Sequence, residues 1–362
     1  MNLPSFNIGN IELRIPIIQG GMGVGVSLGR LAAAVANEGG VGIISGAQIG
    51  FREPDFKTDN DHANLMGLIK EIKIARALSP KGIIGVNFLV ATNNYKDMVL
   101  AAVKEKIDII ISGAGLPKTL PELVKGSDTK IIPIVSSGKA AGLITKMWER
   151  KYNYLPDAII VEGPLAGGHL GFSLEQLKST MIPKLQDIVK DVIESTREFA
   201  EKHKKKIPVI AAGGIFTGKD IARYINAGAD GVQMATRFVA TEECDAHENF
   251  KNAYIHTEKK DIQLIKSPVG MPGRAIRNKF VESVEKANQK VKKCYHCLTG
   301  CNPATTPYCI TDALIASVEG DVDNGLVFVG SNACRIHKIV KVKDLMNELI
   351  MDAERFISKI KK

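Results

Sequence analysis

The chain has 362 residues, 45% of them apolar and 24% charged, a balance that excludes a mainly disordered protein and allows a large buried core. Its net charge of +9, from 48 Lys plus Arg against 39 Asp plus Glu, is dispersed apart from Lys202–Lys206 and the terminal Lys359, Lys361 and Lys362. That pattern points to a solvated surface or a small anionic ligand and away from nucleic acid, and the absence of a basic N-terminal segment followed by an apolar run predicts a cytoplasmic protein with no signal peptide.

Between Ile15 and Phe238 short apolar runs alternate with helical patterns, as parallel βαβ units require. The expected strands are Pro16–Gln19, Val41–Ser45, Ile83–Phe88, Ile107–Ser112, Lys130–Val135, Ala158–Glu162, Pro208–Ala212 and Gly231–Met234. Each is nearly continuous in Ile, Val and Ala, the composition of a strand covered on both faces. Helical periods span Leu28–Asn37, Leu65–Leu78, Tyr95–Lys106 and Gly218–Ala227. The most apolar stretch, Leu31–Phe51, is interrupted by Asn37, Glu38 and glycines, so no membrane span is expected. Eight such units predict the α/β class and a (β/α)₈ TIM barrel.

Gly46–Asn64 is polar and aperiodic, which predicts a long loop over the barrel mouth. Ser173–Lys205 contains Pro183 and predicts two helical pieces. From Ala246 the pattern becomes irregular, and Val342–Ile360 resumes a helical period. The expected organisation is a barrel over residues 1–245, a cap segment with a cysteine cluster over 246–338, and a C-terminal helix over 339–362 packing on the barrel.

Barrel enzymes carry their chemistry on the loops after the strands, with phosphate groups most often after strands seven and eight. Strand seven runs into Gly213 and Gly214 ahead of a helix near Gly218, and strand eight into Gln233, Met234, Ala235 and Thr236. Main-chain N–H groups and the Thr236 hydroxyl suit a phosphate there, while the plainer alternative is relief of crowding at tight turns. Strand one ends in Gly20-Gly21-Met22-Gly23, which lacks the dinucleotide fingerprint and offers a wall with few side chains for a wide, flat ligand such as an isoalloxazine ring. Asn87 closes strand three with an amide that both donates and accepts, or serves as a turn former. After strand six, Glu162 leads into Gly167, Gly168 and His169, an imidazole in a glycine loop that can exchange protons or hold an anion, unless it is structural.

Six motifs in order, QGGMG at 19–23, GVNF at 85–88, SGAG at 112–115, EGPLAGGHLG at 162–171, AAGGI at 211–215 and GVQMATRFVATEEC at 231–244, resemble the nitronate monooxygenase family, which also contains FMN-dependent enoyl-ACP reductases of type II. The likeness covers roughly residues 1–280. It implies an FMN-dependent enzyme with a small-molecule substrate. Gly21, Met22 and Gly23 would form the flavin floor, Asn87 its polar-edge contact and Glu162 the carboxylate near the ribityl chain. Gly167, Gly168, Gly213, Gly214, Gln233, Met234, Ala235 and Thr236 would complete the cofactor cradle, and His169 would be the active-site histidine. The implied reaction is oxidation of alkyl nitronates with O₂ to a carbonyl compound and nitrite. NAD(P)H-linked enoyl-ACP reduction and flavin or quinone reduction share the framework, and an FMN-binding sensor without turnover is the non-enzymatic alternative. The motifs leave oligomeric state open, a homodimer among the options.

The tail departs from shorter members of that family. Cys294, Cys297, Cys301 and Cys309 fall within sixteen residues, a spacing compatible with zinc or an iron–sulfur cluster, with buried free thiols as the alternative. Cys244, Cys334 and Trp148 are expected in the core.

Overall fold

Eight parallel strands close into one barrel, and a hairpin at the N-terminus plugs its floor. The computed structural model describes residues 3–360, so Lys361 and Lys362 of the basic terminus lie outside the described residues. Strands β1 (Phe6–Ile8) and β2 (Ile11–Leu13) form the hairpin. The barrel contains β3 (Ile17–Gln19), β4 (Val41–Ser45), β5 (Ile83–Leu89), β6 (Ile109–Gly113), β7 (Lys130–Val135) and β8 (Ile159–Glu162). After the two-residue β9 (Gly168–His169), which stands outside it, the barrel is completed by β10 (Val209–Ala212) and β11 (Gly231–Met234), the latter pairing back onto β3.

Alternation along each strand separates two cores. Ile18, Val41, Ile43, Ile109, Ile111, Ile132, Ile160 and Ile210 point inward, where they meet Phe6, Ile8 and Leu13 of the plug. Their neighbours Ile17, Ile44, Ile110, Ile131, Ile159 and Val209 face the helices. Both faces of every strand are therefore dry, which explains the unbroken aliphatic runs. Fully burying one such side chain contributes about 1.5–3 kcal/mol.

The helical layer comprises α1 (Gly29–Asn37), α2 (Asn60–Leu78), α3 (Tyr95–Lys104), α4 (Leu120–Leu123), α5 (Gly138–Tyr152), α6 (Leu174–Lys178), α7 (Leu185–Lys202), α8 (Gly218–Asn226) and α9 (Thr236–Val239). Pro183 falls between α6 and α7, the break expected of it. The loop after β4 is shorter than the sequence suggests, because Asp59 accepts the His62 N–H at 3.1 Å and starts α2 at Asn60. Trp148 is fully buried and donates its indole N–H to the Pro117 carbonyl at 3.0 Å.

The region that reads as irregular is built. It contains α10 (Glu248–Ile255), an antiparallel hairpin of β12 (Ile262–Lys266) and β13 (Pro272–Ile276), α11 (Lys279–Lys286) and α12 (Ile310–Val318). These elements are short, five to nine residues each, so no period survives long enough to be read. The last helix, α13 (Val342–Ile360), lies across α8 and α1. Arg237 forks onto Glu348 at 3.0–3.1 Å, and Asp352 accepts the Lys219 N–H at the head of α8 at 3.0 Å. Among the described residues no helix is long and apolar enough to cross a membrane.

Candidate active site

A cavity of about 250 Å³ opens at the carboxyl ends of the strands. Its wall includes Gly21, Met22, Gly23, Asn87, Glu162, Gly167, Gly168, His169, Gln233, Ala235 and Thr236, so strands far apart in sequence deliver their motifs to one space. The loop after β3 is fixed by Ser27, whose hydroxyl accepts the Met22 N–H at 2.8 Å and whose own N–H donates to the Met22 carbonyl at 3.0 Å. Bare backbone is required here: a Cβ on Gly21 would stand 2.5 Å from the Asn87 Cβ.

Three expected cofactor residues lie outside that wall. Met234 is buried in the outer core, and Gly213 and Gly214 pack on the loop Gly163–Ala166, with the Gly214 carbonyl accepting from the Asn332 amide at 2.7 Å. The head of α8 is also less open than its sequence implies. Asp220 accepts the Phe216 and Thr217 N–H groups at 3.1 and 2.9 Å, and Asp352 takes the Lys219 N–H. Within the wall itself, the end of β11 is followed by Ala235 and by Thr236, the first residue of α9.

The tail supplies the wall that sequence reasoning missed. Phe328, Val329 and Gly330 line the cavity. The Tyr254 hydroxyl donates to the Phe328 carbonyl at 2.6 Å, and the Val329 N–H to the Arg274 carbonyl at 3.0 Å. A Cβ on Gly167 would meet the Gly330 nitrogen at 2.6 Å, so a glycine of the loop after β8 and one far along the tail meet there. The only sequence signal was a pair of separated glycines with no motif to join them.

His169 is held by the cap. Strand β9 pairs with β13, placing His169 opposite Gly273, and the Phe328 ring meets the imidazole edge to face with centroids 5.0 Å apart. Its Nε2 lies 2.6 Å from the Ser267 hydroxyl. Burial pushes the imidazole down to about 4, so it is neutral at physiological pH. Glu162 moves the other way: burial raises its carboxyl to about 7, against the Gly171 N–H at 3.1 Å and the charge of Arg274. The Arg274 guanidinium is itself committed to the Pro164 carbonyl at 2.9 Å and to the Ala166 carbonyl, which fixes the loop leading to His169.

The residues fit a flavin nucleotide. Among the described residues Gln233 Oε1 is buried in the wall without a hydrogen-bond partner, an acceptor that a ligand hydroxyl or N–H would satisfy. A second cavity of about 470 Å³ shares Ala114, Ile134 and Glu162 with the first. A groove of about 780 Å³, lined by Ser267, Lys178, Lys266 and Lys286, meets that second cavity at Met271.

The expected metal ligands do not form a ligand set. Cys294, Cys297, Cys301 and Cys309 are free thiols in a loop docked on residues 91–93, where the Thr299 N–H donates to the Ala91 carbonyl at 2.8 Å. Among the described residues no three His, Cys, Asp or Glu side chains are placed to hold a metal ion. Burial raises the Cys297 thiol and pushes Cys309 up to about 12. Cys244 is buried as expected, whereas Cys334 is half-buried.

Comparison with known proteins agrees with this geometry. The profile of the family described as nitronate monooxygenase matches residues 5–98 and 67–352. An octahydroindene carboxyl-CoA dehydrogenase of Rhodococcus jostii is 27% identical over 275 residues, which covers 76% of this chain and 66% of that protein, just under two thirds of its length. A probable nitronate monooxygenase of Staphylococcus aureus is 25% identical over 302 residues, covering 76% of this chain and 78% of that one. The structure of FabK from Thermotoga maritima superposes with a TM-score of 0.74 at 28% identity, covering 96% of both chains.

Proposed function

The chain belongs to the nitronate monooxygenase family, and from that premise we propose that it is an FMN-dependent oxidoreductase that oxidises alkyl nitronates with O₂ to a carbonyl compound and nitrite. The observation that carries the flavin is the unpartnered Gln233 Oε1 in a cavity whose floor is bare backbone at Gly21 and Gly23. Bound there, FMN would supply the redox chemistry. Ala235 and Thr236 would hold its phosphate, while Asn87, Gln233 and Glu162 would meet its polar edges. His169 would hold the substrate's oxygen atoms against the ring, and the Phe328–Gly330 segment would shut out water.

A second reading, NAD(P)H-linked reduction of an enoyl thioester, is favoured by the lysine-bearing groove, which a small nitronate does not need. The carboxyl-CoA dehydrogenase among the relatives points the same way. The test is reconstitution with FMN, followed by anaerobic mixing with NAD(P)H and, separately, an aerobic assay with a nitronate. Nitronate-dependent oxygen uptake with no flavin reduction by NAD(P)H supports the first reading. Rapid reduction by NAD(P)H, reversed by an enoyl thioester, supports the second. A protein that cannot be loaded with FMN excludes both, and one that binds FMN without turnover is a sensor.

A further inference from the structure

We propose that Ser267 is a positioning residue that fixes His169 in one tautomer, with Nδ1–H as a neutral hydrogen-bond donor facing the flavin cavity, so that His169 grips an oxygen of an already anionic or polarised substrate and does not abstract a proton. The activity arm rests on the flavin reading above; the tautomer does not.

The argument begins with the short contact between Ser267 Oγ and His169 Nε2, 2.6 Å. Hydroxyl donors form shorter hydrogen bonds than N–H donors, whose common N···O distance is about 2.9–3.0 Å, so this bond fits O–H giving its hydrogen to Nε2. The Val269 N–H donates to the same Oγ at 3.3 Å and fills one lone pair, and the Tyr308 hydroxyl, which donates to the Lys266 carbonyl, is the second neighbour that the Ser267 hydroxyl meets. A neutral imidazole that accepts at Nε2 must carry its hydrogen on Nδ1.

The serine is itself held. The Gly270 N–H closes a turn onto the Ser267 carbonyl at 3.0 Å, and the Tyr308 hydroxyl donates to the Lys266 carbonyl at 3.1 Å. Tyr308 is buried and meets Phe280 edge to face at 5.1 Å, so the backbone before Ser267 cannot drift. On the other side, β9 paired with β13 and the Phe328 ring fix the imidazole plane. Ser267 lines the groove whereas His169 lines the flavin cavity, so their hydrogen bond joins the walls of the two spaces. Among the described residues Nδ1 has no hydrogen-bond partner. Burial keeps the ring uncharged near neutral pH, and with Nδ1 protonated the cavity sees a donor and no lone pair. This selects substrates whose carbon is already activated: a nitronate, or a thioester conjugated to the reacting carbon, and not a neutral nitroalkane.

The test uses full-length, FMN-loaded protein labelled with ¹⁵N-histidine, with the His169 signals identified by their loss in His169→Asn. The expected spectrum has Nδ1 protonated and Nε2 unprotonated, kept in Ser267→Thr and lost in Ser267→Ala, which also lowers kcat/KM about tenfold with flavin content unchanged. His169→Asn, whose amide nitrogen sits where Nδ1 was, keeps kcat/KM within about tenfold of wild type, while His169→Gln and His169→Ala lose about 100-fold. An Nε2-protonated ring in the wild type, or His169→Asn as inactive as His169→Ala, overturns the proposal. Failure to load FMN removes the flavin reading, and the tautomer is still decided by the spectrum of the unloaded protein.

Discussion

Replacing Glu162 by Gln should make the flavin-free protein more stable at high pH and leave it unchanged at low pH. The wild-type carboxyl is raised from 4.5 to about 7 by burial, so the folded state holds its proton more tightly than the unfolded chain. Its contribution is therefore most favourable below pH 4.5 and declines as pH rises to about 7. A displacement of that size is worth about 3 kcal/mol. His169 acts in the opposite sense: lowered from 6.5 to about 4, it favours folding above pH 6.5, and that contribution is lost as pH falls to about 4. Through most of the shared range the two slopes oppose each other, and the wild type hides both. Glutamine keeps an oxygen for the Gly171 N–H and carries no charge. Urea unfolding at about pH 5 and pH 8 should show a gain for the variant that grows toward about 3 kcal/mol at the higher pH. A difference that stays the same across that range refutes a buried, proton-holding Glu162.

Gly21→Ala drives a methyl group to 2.5 Å from the Asn87 Cβ and should cut flavin content per chain severely, read by absorbance of the purified protein, at a stability cost of about 1–3 kcal/mol. Arg274→Met strands the Pro164 and Ala166 carbonyls and should lower unfolding free energy by about 2–4 kcal/mol in urea titration; a loss under about 0.5 kcal/mol would mean that the loop does not depend on the guanidinium. With its thiol pushed up to about 12 from 9, Cys309 should alkylate roughly a thousandfold more slowly at pH 8 than an unshifted thiol, followed by peptide mass mapping. Stoichiometric zinc or iron in anaerobically purified protein, with alkylation accelerated by a chelator, would show instead that the four cysteines gather around a metal.

The barrel strands were legible because a strand covered on both faces must be apolar throughout: Val41–Ser45, Lys130–Val135 and Gly231–Met234 begin and end where the aliphatic runs do. The motif residues at the strand ends were legible for a related reason, since barrel topology sends every strand's carboxyl end to one face. Gly21, Asn87, Glu162, His169 and Gln233 consequently share a cavity though they span more than two hundred positions. The plug formed by Phe6, Ile8 and Leu13 was missed, because three-residue strands carry too few residues to show a period.

What the sequence by itself determined is the barrel, the family and the side of the barrel that carries the chemistry, all of which follow from local hydrophobic pattern and short motifs. Only the tertiary structure decided what surrounds the histidine. Ser267, Arg274 and the Phe328–Gly330 segment reach the site through one or two hydrogen bonds each and glycine contacts between segments about one hundred to more than one hundred and fifty positions apart. Such contacts depend on where the chain folds back and impose no repeating pattern on the residues that make them.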